Sequence, residues 1–277
     1  MPEAQSPPSK GHPLRGEMPF LDHLEEFRWR ILWSLVAVFI GTVIGFMLAW
    51  KYGLMELLIF PALEYLPEGQ EELTALAVTE PFFITLKLGL VAGLILAFPV
   101  VLYQVWSFLS PALDKRERRI IIPSLYAGML LFILGASMAY FLALPLGLEF
   151  LSNFQADKIT VIWAVNPYFA FVIRLLVGFG LVFELPVVMM ILSVLGIVTP
   201  KWLAKNRKYA FVILAVVASL LSPGDIIIVT VIMMVPLYGL YELSILLSWM
   251  VTKGRRAEEE RENTIANPEP PEDSVER

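Results

Sequence analysis

The chain has 277 residues, 57% of them hydrophobic and 17% charged, against about 45–50% and about 25% in ordinary soluble domains, and its mean hydropathy is +0.70. The net charge of −5 says little about partners, because eight of the 26 acids lie in the tail at 258–276. The absence of cysteine excludes disulfides and thiolate chemistry, and His12 and His23, the only histidines, have no partner at metal-ligand spacing.

Residues 1–18 are polar and Pro-rich with no apolar core, which predicts a disordered arm and not a cleaved secretory signal. Residues 19–30 predict an amphipathic helix at a membrane surface. There Phe20, Leu21, Leu24 and Phe27 share one face and charges fill the other. It leads into a first span over 31–50, free of charge and about 30 Å long at 1.5 Å per residue.

Residues 51–80 predict a loop on the outer side, with six acids, Lys51 and the turn formers Pro61, Pro67 and Gly69. A second span covers 82–106, with Lys87 near its outer end and Tyr103 and Trp106 at the other interface. Pro111 then breaks the helix, and Lys115, Arg116, Arg118 and Arg119 surround Glu117. An acid kept among four bases on a short loop has the chemistry of a site for a cation. The alternative is that Glu117 only pairs with Arg118, as Glu26 would with Arg28.

A third span lies within 120–148, with Pro123 and Pro145 expected at its ends. After an outer loop over 149–167, a fourth span covers 168–195 and carries Arg174 and, near its middle, Glu184. Arg174 is expected to reach the outer interface. A charge at the bilayer centre costs roughly 2.5–3.5 kcal/mol on insertion scales, so Glu184 is expected to keep its proton. Two roles are open to it: a neutral hydrogen-bonding group between helices, or a polar notch on a concave, lipid-accessible face.

Residues 196–208 return with four bases, and 209–249 is apolar except for a turn signal, SPGD, at 222–225. The first helix of that pair, 209–222, has 14 residues, about 21 Å, too short to cross about 30 Å of hydrocarbon without local thinning. Residues 251–277 predict a charged, disordered tail behind a membrane domain at 19–250.

Segments 1–30, 105–119, 196–208 and 249–277 hold 4, 4, 4 and 5 of the 21 Lys and Arg residues, so both termini are predicted to be cytoplasmic. The fold expected is an all-α polytopic membrane protein with six transmembrane helices, N-in and C-in, the last two short. No internal repeat, phosphate-binding glycine loop, metal-ligand motif or nucleophile–base pair is present. An enzyme and a bound cofactor are not expected.

Four motifs resemble the TatC family of the twin-arginine protein translocase: HLEEFR at 23–28; YQVWSFLSP at 103–111 followed by Glu117 and Arg118; FGLVFELP at 179–186; and SPGD at 222–225 followed by Pro236 and Glu242. Phe27 stands where the family usually has leucine. At 226–230, where the family often has glutamine, Thr230 is the only polar side chain.

The resemblance implies a concave, glove-like scaffold in the cell inner membrane. It implies binding of twin-arginine signal peptides of folded precursors, with Glu26, Glu117, Phe108 and Arg28 as site residues. It also implies TatA- and TatB-type single-span partners, self-association and drive by the proton-motive force, with no nucleic acid. Glu184 becomes a partner or lipid site, and Asp225 and Thr230 become outer-hairpin and partner contacts. Guanidinium pairs with carboxylate through two parallel hydrogen bonds, which lysine cannot reproduce, so paired carboxylates suit that ligand. The rival reading is a proton-coupled small-solute transporter using Glu184 with Arg174.

Overall fold

The computed structural model describes residues 20–67, 70–112, 117–154, 162–222 and 227–266; side chains are described for these except 20–22, 112, 117, 227–229 and 254–266. The predicted arm at 1–18 and Asp225 lie outside the described residues. Helix α1, Phe20–Lys51, is continuous from the amphipathic segment through the first span. No glycine or proline interrupts the junction at 30–31, so the surface segment and the span share one axis.

Inside the predicted outer loop is a second helix, α2, Leu54–Leu63. Its apolar run buries Leu58 and Ala62, and two tyrosine hydroxyls hold it from across the fold. Tyr140 donates to Leu57 O at 2.6 Å and Tyr168 donates to Leu58 O. The outer loops are also joined to each other. Gln70 uses its side-chain amide as a strand residue would use its backbone: Nε2 donates to Trp163 O at 2.9 Å and Oε1 accepts from Trp163 N at 3.0 Å. Beside it Thr74 and Ala164 form a parallel bridge, with Thr74 N–H donating to Trp163 O and Val165 N–H to Thr74 O, both at 3.0 Å.

Helix α3, Glu80–Leu109, crosses α1 at very short range. A methyl on Gly93 would fall 2.3 Å from Thr42 N, and one on Gly41 would fall 2.4 Å from Gly93 O. Gly45 and Gly89 repeat the arrangement one turn along. Small residues four apart on both helices therefore let the two backbones touch, which gives dispersion contact where lipid leaves no hydrophobic drive between helices.

Short 3₁₀ turns at Ser110–Ala112 and Glu117–Ile120 lead to α4, Ile121–Met138. Pro145 does not end the third span. A π-helical turn, Ala139–Ala143, precedes α5, Leu144–Asn153, so Pro145 falls at the start of a new helix where its missing N–H breaks no bond.

The fourth span is two helices, α6, Val165–Phe183, and α7, Leu185–Val194, meeting at Glu184. Pro186 cannot donate to the carbonyl four residues back, and Glu184 N–H turns to Leu181 O at 3.1 Å instead. Helix α6 runs through the centre of the fold. Phe169, Val172, Leu175 and Phe179 are buried in one core with residues that include Ile84 and Leu88 of α3 and Leu144 and Leu148 of α5.

Helix α8, Pro200–Lys205, is capped by Thr199, whose hydroxyl accepts from Trp202 N. Helix α9, Arg207–Leu221, has 15 residues. The last helix, α10, Ile227–Ala266, corrects the expectation of two short final helices: it has 40 residues. Its apolar part is followed by Arg, Ala and Glu residues that favour helix, so nothing stops it at the membrane edge.

Among the described residues five helical stretches are long and apolar enough to cross a membrane: His23–Lys51, Glu80–Leu109, Arg118–Asn153, Val165–Val194 and Thr230–Lys253. The chain is thus a polytopic α-helical membrane protein.

Candidate functional site

The first turns of α1 and the last turns of α3 meet at one end of the fold. Glu26 and Arg30, four residues apart, share a face of α1. Arg30 Nε donates to Glu26 Oε1 at 2.9 Å, and its Nη2 donates to the same oxygen. Its remaining terminal nitrogen, Nη1, reaches across to α3 and donates to Gln104 Oε1 at 3.3 Å. The basic partner of Glu26 is therefore Arg30 and not Arg28, which lies two residues on and is exposed on another face.

The second oxygen of Glu26 is left over. Oε2 is buried, has no hydrogen bond among the described residues and lies 3.9 Å from His23 Nδ1. An aromatic wall stands beside it. Phe108, at the end of α3, stacks on His23 with ring centroids 4.4 Å apart and packs against Phe27 at 5.3 Å. Glu26 and Phe108 are thus brought to one place by the α1–α3 crossing, with one carboxylate oxygen held by the chain and the other without a hydrogen bond among the described residues.

Glu117 opens the turn that leads from this end of α3 into α4. Its side chain lies outside the described residues, so its distance to Glu26 is not part of this geometry. His23, Arg30 and Gln104 enter the site only through the structure. The Glu26 to Arg30 spacing carried the one signal available beforehand, since i and i+4 face each other on a helix.

Glu184 forms a second polar locus. It is 7% exposed, and neither carboxylate oxygen has a hydrogen-bond partner among the described residues. It sits against α4 where Gly128 leaves room: a methyl there would fall 3.0 Å from Glu184 Oε2 and 2.7 Å from Leu102 Cδ2 of α3. One turn along α3, Trp106 is buried with its indole N–H also unpartnered. The expected lipid-accessible face is corrected here, because the break at Pro186 turns Glu184 inward between α3 and α4. Arg174 is exposed on α6 and does not reach Glu184, ten residues on. Thr230 is half-buried at the start of the described side chains of α10.

A third polar link closes the other half of the fold. Arg207, the first residue of α9, grips Glu242 of α10 with two parallel hydrogen bonds of 2.8 Å.

The family model described as "Sec-independent protein translocase protein (TatC)" matches residues 22–236. The chain belongs to the TatC family. It is 42% identical over 241 residues to the Sec-independent protein translocase protein TatC of Aquifex aeolicus (strain VF5), covering 86% of this chain and 98% of that one. It is 38% identical over 242 residues to TatC of Escherichia coli (strain K12), covering 87% and 92%. A crystal structure of the twin arginine translocase receptor TatC superposes with a TM-score of 0.71 at 44% identity, covering 83% of this chain and 99% of that one. The TatC family consists of non-catalytic translocase subunits, and membership excludes the rival reading of a small-solute transporter. A TatC protein of this kind is a multi-pass protein of the inner membrane.

Proposed function

We propose that this chain is the receptor subunit that binds twin-arginine signal peptides where α1 begins and α3 ends, with Glu26, Glu117, Phe108 and Arg28 as site residues. The observation that carries the reading is Glu26 Oε2: a buried carboxylate oxygen with no hydrogen bond among the described residues, next to the Phe108 wall. An incoming guanidinium satisfies it, and Glu117 supplies the second carboxylate that a paired arginine needs. Arg28, exposed on another face of α1, is a site residue by the resemblance alone.

In this reading the site end is cytoplasmic, as the lysine and arginine bias requires. Helix α9 is then a sixth, short crossing, and both termini are inside. TatA- and TatB-type subunits dock along the α6, α9 and α10 side, with Thr230 and Asp225 among the contacts that the resemblance implies, and copies of the chain self-associate. The proton-motive force drives export of the folded cargo.

Titration of the purified protein with a labelled twin-arginine signal peptide tests the reading. Binding should weaken by about tenfold or more when both arginines become lysine, because the bidentate pairing is lost. Equal affinity for the two peptides would refute it.

A further inference from the structure

Helix α2 is apolar on both of its sides, and Glu56 is its only charge. Leu58 and Ala62 face the fold, while Leu57, Phe60 and Leu63 are exposed along the other side, Phe60 at 70%. A helix that is hydrophobic all round belongs in an apolar medium and not in water.

A backbone carbonyl points the same way. Pro61 has no N–H to give to Leu57 O, four residues back along α2. In water that oxygen needs no protein donor, whereas in a bilayer every backbone polar group must be satisfied internally. Here Tyr140 donates its hydroxyl to Leu57 O at 2.6 Å from 83 positions away, and Tyr168 donates to Leu58 O.

Tyr140 also fixes the depth. It stands in the π-turn after α4, about 29 Å along the axis from Ile121. Counted from the bases Arg118 and Arg119, that is the far edge of about 30 Å of hydrocarbon. The exposed apolar row of α4, which includes Leu130 and Leu134, reaches the same level at Phe141, and Trp50 and Tyr52 are exposed where α1 ends. Aromatic rings gather at that depth in membrane proteins. Helix α5 carries the chain about 20 Å beyond Tyr140 to Asn153, and Ile162 lies beyond the outer end of α6. Both ends of the stretch 155–161 therefore stand further out than this level.

From the carbonyl and the depth together we infer that α2 is seated in the membrane, with Leu57, Phe60 and Leu63 against phospholipid acyl chains at the headgroup boundary. A segment that reads as part of an outer loop thus anchors the joined outer loops to the leaflet they stand over. The inference holds whichever membrane face is cytoplasmic, and it does not rest on the proposed peptide site.

Photolabelling of the wild-type protein tests it. The whole chain is reconstituted in phosphatidylcholine vesicles doped with a phosphatidylcholine that carries a diazirine near the headgroup end of one acyl chain, and adducts are mapped by mass spectrometry. Adducts are expected on Leu57–Leu63 in yield comparable to those on Phe141, with none on Glu71–Thr74. The chain has no cysteine, so Phe60→Cys accepts a single fluorescent label, which aqueous iodide should quench several-fold less than the same label on Glu71→Cys. Equal quenching by iodide overturns the inference. So does a label on Phe60→Cys that neither iodide nor brominated phosphatidylcholine quenches, because protein and not lipid would then cover that side. If the variant does not fold, the wild-type photolabelling decides alone, and an α2 free of adducts overturns the inference.

Discussion

Arg30 directs two donors to Glu26 Oε1 and a third to Gln104, so the chain itself saturates one side of the carboxylate and fixes its direction. That clamp links α1 to α3 through a guanidinium only partly open to solvent. Replacing Arg30 by alanine frees Oε1 but also lets Glu26 swing, so the ligand gains an oxygen and loses a positioned one. The expected outcome is weaker peptide binding, by about 1.5–3 kcal/mol, the scale of charged hydrogen bonds; Arg30→Lys should recover little, lacking the fork. A peptide titration of both variants checks this, and tighter binding by Arg30→Ala would mean that Arg30 merely competes with the ligand. At Glu184 the requirement is polarity in a tight place. Glu184→Gln keeps the size and hydrogen-bonding capacity and should export a folded reporter as wild type does. Glu184→Leu should insert well, since it removes an expensive group, but export poorly. Normal export by the leucine variant would remove Glu184 from the transport mechanism.

At the scale of elements, the crossing of α1 and α3 is what gathers Glu26, Arg30, Gln104 and Phe108. It rests on backbone contact at Gly41, Gly45, Gly89 and Gly93, and the atoms that a side chain on Gly93 would strike are backbone atoms of Gly41 and Thr42, which cannot move aside. Gly93→Val should therefore cost at least the 1–3 kcal/mol or so typical of overpacking, measured as a lower denaturant midpoint in detergent, and should weaken peptide binding with it. Gly239→Ala, where nothing lies within 4 Å, is the control and should be neutral or slightly stabilising. A Gly93→Val protein as stable as wild type would contradict the crossing. The sequence carried the spans well, because long uncharged runs are read by hydropathy alone. It did not reveal α2, whose ten mostly apolar residues lie within an acidic, Pro-bearing loop, nor the continuation of the third span past Pro145, which depends on the π-turn before it. At the site, Glu26 and Phe108 were legible from motif resemblance and Arg30 and Gln104 were not, because their roles come from a contact between residues 74 positions apart. The inward turn of Glu184 was likewise invisible, since it needs Gly128 on another helix to make room.

Across the described residues, one end carries the α1–α3 site and the turn at Glu117–Ile120, while the outer loops are tied by the Gln70–Trp163 pairing and the Thr74–Ala164 bridge. Reporter fusions should read as cytoplasmic after Asp114, Lys205 and Arg261, and as external after Gly69 and Asp157. A cytoplasmic signal after Asp157 would break the proposed topology. Carboxylates at the end proposed to be cytoplasmic, Glu26 among them, are proposed to receive guanidinium groups. The most direct measurement is a double-mutant cycle on affinity, pairing Glu26→Gln and Glu117→Gln in the protein with arginine-to-lysine changes in the signal peptide. Strong coupling is expected: the lysine peptide binds far more weakly than the arginine peptide to wild type, and nearly as well as it to the doubly substituted protein. Additive effects, with the arginine preference undiminished in the doubly substituted protein, would contradict it.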